Sequence, residues 1–241
     1  MNINIQTVTF DAKQSPILDS KEVRYIRGGV TLDQSAVTAD VSTGLKKLPA
    51  GTFIGVTGGK YRKYTAAVKA SLSTTGGNEN SNIKFEAVGS GTDGNSIKVA
   101  MINAGNSKSL EVTVVNNEVR IQLATNSGGT ITSTAAEVIA AVNGALAVKG
   151  ILTAAVVGAQ TGEGVVAALS ATELANGANA NVVPTCVLAE DVLFTRFSES
   201  GGITHVDQIA TAIDAGRVIA SRLPVAPDAV VKANIPGVQY V

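Results

Sequence analysis

Short runs of alternating apolar and polar residues recur along this chain, and this period-two pattern is typical of half-buried β-strands. The first clear pair lies in the stretch Leu45–Tyr64, where extended runs over Thr52–Ile54 and Tyr61–Tyr64 flank Gly58-Gly59. A two-residue hairpin turn needs positive φ angles, which glycine adopts at little steric cost. The pattern therefore predicts the first hairpin of a compact β domain.

Between residues 75 and 181 the pattern changes to that of a separate α+β unit. A tight turn is predicted at Asn116-Asn117. A helix is predicted from a cap at Ser133 to Val148, because apolar residues recur there at helical spacing before Gly150. Strands are predicted over Ile83–Val88, Ile97–Ile102, Leu110–Val115, Val119–Ala124, Ile151–Val157 and Val165–Leu169.

Polar, glycine-containing connectors flank this middle unit at Ser71–Ser81 and Gly177–Asn181. A linker, a compact unit and a second linker form the pattern of an inserted domain. We therefore predict a core domain made of residues 1–74 and 182–241, interrupted by an inserted domain over residues 75–181. The expected fold class is mainly β, with a small β-rich core domain and an α+β insertion that contains a β-sheet and a helix.

The segment after the insertion is expected to complete the core domain. Its pattern predicts short strands, one short helix and a late strand. In chain order these are strands at Val187-Leu188 and Val192–Phe194, a helix over His205–Ala212, and a strand over Ala229–Ala233.

The first ten residues also alternate in polarity, and two interpretations fit them. One is a first strand followed by a surface loop. The other is an extended arm, within residues 1–30, that adds a strand to a partner's sheet through main-chain hydrogen bonds. The arm residues expected to contact the partner are Asn2, Ile3, Ile5, Val8 and Phe10.

Charge and composition narrow the class of function. Lysine plus arginine and aspartate plus glutamate number 19 each, so the formal net charge is zero. A nucleic-acid-binding protein normally carries a basic surplus or stripe instead. Only 16% of the residues are charged, against about 25% in a typical soluble domain. Such a surface is expected to be neutral or covered by partners, which favours assembly.

Cys186 is the single cysteine, so neither an intrachain disulfide framework nor a multi-cysteine metal site is predicted. Residues 1–13 lack the basic and apolar regions of a secretory signal. Glycine and polar residues interrupt the apolar stretch Ile151–Ala168, so no membrane span is expected. These features are consistent with a cytosolic or virion-associated soluble protein.

Sequence motifs for cofactor binding are weak. Gly89–Gly94 spells G-x-G-x-x-G, but a dinucleotide site needs a helix after this motif, whereas a strand is predicted here. Gly59-Lys60 is followed by Tyr61 rather than by Ser or Thr, so no P-loop is expected. We therefore expect no bound cofactor.

The charged side chains offer no catalytic pattern either. His205 is the single histidine, but the nearby Ser198 and Ser200 do not lie in a nucleophile elbow, and no triad with Asp207 is predicted. The acidic pair Glu190-Asp191 is expected to form a surface ion pair or a turn. The basic cluster Lys60, Arg62 and Lys63 is too small, in a neutral chain, to predict a nucleic-acid site. No catalytic residue and no metal ligand is predicted.

Two separated regions resemble the lambda-type phage head decoration protein family. The first carries LPAGTFIGV followed by Gly59-Lys60-Tyr61, and the second carries VLAEDV (Val187–Val192) followed by AGRVIASRLP (Ala215–Pro224). The resemblance covers Leu45–Ala67 and Val182–Leu223. The inserted unit is similar to α+β modules of phage structural proteins, on the residues Gly91, Gly94, Asn95 and Ser133–Ala135.

The resemblance implies a non-enzymatic protein on the outer surface of an icosahedral capsid. Such proteins typically sit as homotrimers at local three-fold positions, bind the major capsid protein and stabilise the expanded shell. The chain would then be a virion protein made in the host cytoplasm, with no nucleic-acid or membrane partner. Its arm would bind the capsid, and its insertion, which family members usually lack, would project outward and could contact a host surface or a glycan.

Two other classes of function stay open at the level of the sequence. The first is a phage head fibre or tail-associated structural protein that uses the insertion for adhesion. The second is an enzyme of an unrecognised type, which would require a pocket that gathers several charged groups.

Overall fold

The computed structural model describes residues 15–17, 23–75, 77–197 and 202–241. The chain divides into two compact units. Unit 1 comprises Met1–Ala66 and Asn181–Val241, and unit 2 comprises Ala67–Ala180.

Strands dominate the described residues, which also contain two α-helices. The first segment of unit 1 holds β1 (Arg24–Tyr25), β2 (Val30–Leu32), β3 (Lys47–Leu48), β4 (Phe53–Thr57) and β5 (Lys60–Lys63). Unit 2 holds β6 (Lys69–Ser73), β7 (Ile83–Ser90), β8 (Lys98–Ile102), β9 (Glu111–Val115), β10 (Glu118–Gln122), α1 (Ala135–Gly144), β11 (Leu152–Val156) and β12 (Leu169–Glu173). The second segment of unit 1 holds β13 (Cys186–Leu188), β14 (Val192–Leu193), β15 (Thr195–Phe197), β16 (Ile203–His205), β17 (Gln208–Ala210), β18 (Ala212–Val218), α2 (Ala229–Asn234) and β19 (Val238–Tyr240).

An eight-stranded sheet forms the centre of unit 1. Its order is β1-β18-β13-β4-β5-β2-β17, with β19 beside β18. The pairs β2–β5 and β18–β19 are parallel, and the other pairs are antiparallel. Val187 lies opposite Phe53 on one side and opposite Ile213 on the other. Strands from both sides of the insertion therefore build one sheet.

The hairpin predicted at Gly58-Gly59 is confirmed. β4 and β5 pair from Ile54 opposite Lys63 to Thr57 opposite Lys60. Gly58 and Gly59 have φ angles of 58° and 78°, in the region that residues with a Cβ rarely adopt. Local turn chemistry alone was enough to locate this hairpin.

The sheet of unit 1 packs against an apolar cluster on each of its two faces. Ile54 belongs to a buried cluster with Leu32 and Phe194, whereas its neighbour Phe53 belongs to a second cluster with Ile213. This follows from the alternation of side chains along a strand. Burial of each such side chain stabilises the fold by about 1.5–3 kcal/mol.

Two predictions for the second segment of unit 1 are wrong. The helix expected over His205–Ala212 is replaced by β16, β17 and the start of β18, because these residues pair with distant strands such as β2. The strand expected over Ala229–Ala233 is instead α2. There the carboxylate of Asp228 accepts the Val231 N–H at 2.7 Å, so an N-cap overrides the β propensity of the valines.

Unit 2 has a four-stranded sheet, in the order β12-β8-β10-β9, and a three-stranded sheet, in the order β11-β7-β6. The turn predicted at Asn116-Asn117 joins β9 to β10, and Asn116 has a φ of 55°. Both sheets and α1 share one apolar core. Its fully buried side chains include Ile83, Phe85, Val99, Val119, Ile121 and Val138.

The predicted connector Ser71–Ser81 is corrected by the structure. β6 occupies Lys69–Ser73 and pairs with β7, so unit 2 begins at Ala67 rather than at residue 75. The sequence of β6 is short and polar, and only its pairing with β7 and with residues 175–178 makes it a strand.

The predicted helix is present but shorter and differently capped. Thr134, not Ser133, is the N-cap, and its hydroxyl and the Glu137 side chain form a capping box. The Ser133 hydroxyl instead accepts the Ala124 N–H at 2.8 Å. The strand expected over Val165–Leu169 is also displaced, because Val166 donates its N–H to the Ser133 carbonyl and β12 begins only at Leu169.

Candidate functional site

The proposed arm residues Asn2, Ile3, Ile5, Val8 and Phe10 lie outside the described residues. The short described segment 15–17 follows them and is bound to unit 1. The Pro16 carbonyl accepts the Ile219 N–H at 2.8 Å, and Ile17 forms a β-bridge with Val218. Residues 15–17 are thus paired with the end of β18.

His205 takes part in a structural contact. Its Nδ1 lies 3.1 Å from the Thr195 hydroxyl oxygen, which accepts the Lys46 N–H at 2.9 Å. Asp207 points elsewhere and pairs with Lys60 at 2.5 Å. Ser198 and Ser200 lie outside the described residues. His205 and Asp207 therefore form no proton relay.

The basic cluster is largely neutralised by carboxylates. Besides the Lys60–Asp207 pair, Arg62 binds Asp33 at 2.7 Å. Hydrogen bonds from Ser35, and then the Arg62 guanidinium, lower the pKa of Asp33 to about 2. Two of the three cations of the cluster are held in ion pairs within unit 1.

The acidic pair Glu190-Asp191 holds loops together. Glu190 accepts the Thr211 N–H at 2.7 Å, and Asp191 accepts the Ala50 N–H at 2.6 Å. Carboxylates that accept backbone N–H groups are common where loops need a fixed shape. The pair has the turn role that was one of its two predicted roles, and it fixes the LPAG loop against the VLAED segment.

The glycine-rich stretch Gly89–Gly94 runs from the end of β7 into a 3₁₀ helix over Thr92–Ser96. β8 follows this 3₁₀ helix, so no α-helix begins after the motif. A Cβ on Gly94 would lie 2.9 Å from the Ala70 Cβ, so only glycine fits there. Asn95 follows and bonds through its amide group to both the N–H and the carbonyl of Gly177. The motif has a structural function.

Cys186 is fully buried in β13, and burial raises the pKa of its thiol to about 11. A protonated thiol in this position is unreactive. Among the described residues, no group of three His, Cys, Asp or Glu side chains is arranged to hold a metal ion.

Unit 1 contains a groove of about 200 Å³ that the sequence did not reveal. Phe53 and Val231 contribute apolar surface, and Tyr64, Asp228 and Lys63 contribute its polar groups. The remaining lining residues are Pro49, Gly51, Thr52, Thr65, Ala66, Pro224, Val225 and Ala226. These come from segments far apart in the sequence, which is why no local pattern marks the groove.

Two polar groups of the groove, the Tyr64 hydroxyl and the Asp228 carboxylate, are already engaged in structural bonds. The Tyr64 hydroxyl donates to the Asp228 carboxylate at 2.9 Å, while Asp228 also caps α2. Burial, together with this bond, raises the pKa of Tyr64 to about 12. A protonated phenol and a capping carboxylate provide no nucleophile or base. The groove is suited to passive binding.

Comparison with protein-family models, with curated proteins and with solved structures gave no match. Neither described helix has the length and apolar character that crossing a membrane would require. Function is therefore inferred from the residues and contacts described above.

Proposed function

We propose that this chain is a phage head decoration protein that binds the outer surface of the mature capsid and stabilises it. Its partners would be the major capsid protein and two further copies of itself, in trimers at local three-fold positions. It would be a virion protein without enzymatic activity, and the unit inserted into its core would project outward.

One observation carries the proposal. The segments that resemble the decoration family are separated by the whole of unit 2, yet they form neighbouring strands of one sheet. β4 contains the FIGV part of the first segment and pairs with β13, which starts the second, and β13 pairs with β18. A shared sheet supports a single ancestral domain that received an insertion.

Loop contacts support the same grouping. The Gly51 N–H donates to the Leu188 carbonyl at 2.7 Å, and the Leu188 N–H donates to the Thr52 carbonyl at 2.9 Å. With the Asp191–Ala50 bond, these contacts join LPAGT to VLAED residue by residue. Matching segments that contact each other are harder to explain as chance similarity than segments that lie apart.

The chemistry of the chain suits a clamp on a protein shell. A surface with few charges can be buried against a partner without a large desolvation cost. The arm would add main-chain hydrogen bonds to a strand of the capsid protein. Three linked copies would convert modest single contacts into tight binding.

The alternative role, adhesion by a head fibre or tail protein, would place a ligand site on unit 2. Phe85 is the one aromatic residue in residues 67–180, and its side chain is fully buried. Residues 67–180 therefore offer no exposed aromatic ring on which a sugar could stack. Decoration remains the function that the contacts favour.

Deletion of residues 1–10 tests the arm. Capsid binding should be lost, whereas the melting temperature of the protein should stay unchanged. A matched pair of point variants distinguishes main-chain hydrogen bonding from non-specific hydrophobic adhesion. Ile5→Pro removes one N–H and should weaken binding, while Ile5→Val should bind normally. Normal binding by the deletion variant would exclude the arm from the capsid contact.

A further inference from the structure

The outer strands of unit 2 differ in whether the N–H and carbonyl groups on their outward edges have hydrogen-bond partners. An unpaired strand edge is a template for pairing with another chain, and proteins normally protect such edges. The two sheets of unit 2 end in four outer strands, which are β6, β11, β12 and β9.

Three of these strands are protected. The outward backbone of β6 bonds to residues 175–178, with Ser71 and Ala175 exchanging both hydrogen bonds. β12 carries a register shift between Leu169 and Thr172 that breaks its regular edge. On β11, the side chain of Asn143 bonds to both the N–H and the carbonyl of Ala154, at 2.9 Å and 2.8 Å.

The fourth strand, β9, presents a regular edge. Val115 lies opposite Glu118 across the two-residue turn, so this pair shares both ladder hydrogen bonds. Bonded and non-bonded pairs alternate in an antiparallel ladder. The N–H and carbonyl groups of Val112 and Val114 therefore point away from β10. In the part of the chain that the structure describes, no hydrogen bond to these groups is found.

The side chains of β9 are also left incompletely covered. Val112 and Val114 are only partly buried against the core of unit 2, and Thr113 and Val115 are exposed on the opposite face. A strand placed beside β9 would bury the valines further and satisfy the backbone groups at the same time. The edge is thus suited to an added strand.

We infer that β9 pairs with β9 of a second copy of this chain, antiparallel and centred on Thr113. In this register Val112 lies opposite Val114 of the second copy, and the reverse pair forms by symmetry. All four outward groups of each strand are then used, in four interchain hydrogen bonds. The contact is isologous and joins two four-stranded sheets into one.

Side-chain chemistry agrees with this register. Thr113 faces Thr113 of the second copy, a cross-strand pair that is favourable in antiparallel sheets. Glu111 faces Val115, so no like charges lie directly opposite each other. The four central valines form one apolar row. This pairing concerns unit 2 alone and does not depend on the proposed capsid function.

Disulfide trapping of the full-length protein tests the register. Thr113→Cys places two thiols at a non-bonded antiparallel pair, where the Cα atoms are about 4.5 Å apart, within disulfide range. Cys186 is fully buried, so the new thiol is the one exposed to oxidation. The control is Thr153→Cys, an exposed residue on the protected strand β11. Non-reducing electrophoresis should show covalent dimers for the first variant and monomers for the second.

Charge exchange gives a second, independent readout. Thr113→Lys and Thr113→Glu each place like charges on the two-fold axis, so each variant alone should lose association through β9 in sedimentation. An equimolar mixture should recover it, because Lys then faces Glu. Equal cross-linking of the two cysteine variants, no cross-linking of Thr113→Cys, or a mixture that stays unassociated would each overturn the pairing.

Discussion

The charge of Asp33 contributes to the stability of unit 1. It is buried, it caps the 3₁₀ helix Gln34–Ala36 through Ser35, and it binds Arg62. A carboxylate with these partners stabilises the fold only while it is ionised.

The pH dependence of stability should report on Asp33. Its pKa lies at about 2 in the folded protein, below its ordinary value of 3.8. Its contribution is therefore complete above pH 3.8 and is lost as the pH falls toward about 2. Asp33→Asn should lower the unfolding free energy by on the order of 1 kcal/mol at pH 7. The difference from wild type, measured by urea unfolding at several pH values, should shrink steadily as the pH falls from 3.8 through about 2. A difference that is constant with pH would contradict this role.

Two tyrosines near the groove form a matched pair. The Tyr64 hydroxyl is bonded to Asp228, whereas the Tyr240 hydroxyl is buried without a hydrogen-bond partner among the described residues. Tyr64→Phe should cost about 1–2 kcal/mol of unfolding free energy, because a bond to a charged group is lost. Tyr240→Phe should be neutral or stabilising. Equal changes in thermal melts of both variants would show that the Tyr64–Asp228 bond adds no stability of its own.

At the scale of elements, Asn143 tests how edge strands are protected. Asn143→Ala removes both bonds to Ala154, but alanine is the better helix former by up to about 0.7 kcal/mol. The loss of two bonds to a buried residue outweighs this gain, so the unfolding free energy should fall by about 1 kcal/mol, while hydrogen exchange of the Ala154 amide should accelerate. Leu146→Ala, at an exposed position after α1, is the control and should leave that amide unchanged. Unchanged exchange at Ala154 in Asn143→Ala would show that Asn143 does not protect the edge.

Elements that depend on local chemistry could be predicted from the sequence. The Gly58-Gly59 and Asn116-Asn117 hairpins follow from turn residues and alternation. The presence of α1 follows from its helical spacing, whereas its N-cap and its end at Gly144 differ from the predicted Ser133 and Val148. The segment His205–Ala212 could not be predicted, because its strand structure depends on pairing with β2 and β13. The groove could not be predicted from the sequence either, because its lining residues come from segments far apart in the chain.

At the scale of the whole molecule, the insertion leaves unit 1 and returns to it at one point. The Asn181 side chain accepts the Thr65 N–H at 2.8 Å and donates to the Lys63 carbonyl at 2.7 Å. The two ends of unit 1 are thus already adjacent. A short linker can replace unit 2 at small cost in loop-closure entropy.

Replacement of residues 67–180 by a short glycine-serine linker should leave unit 1 folded. The shortened protein should unfold cooperatively and keep dispersed amide resonances in its NMR spectrum. A matched control replaces Asn181 by alanine in the shortened protein, and its unfolding free energy should fall by about 1–2 kcal/mol, because both junction bonds are lost. A shortened protein that is unfolded would show that unit 1 depends on unit 2.

The most direct test of the proposed function is co-sedimentation of the purified protein with expanded capsids that lack it, measured as copies bound per shell. Saturable binding with three copies per local three-fold position is the predicted result. The variant without residues 67–180 should bind with the same stoichiometry, because the proposed clamp belongs to unit 1. No binding to expanded shells, or binding that never saturates, would contradict the decoration function.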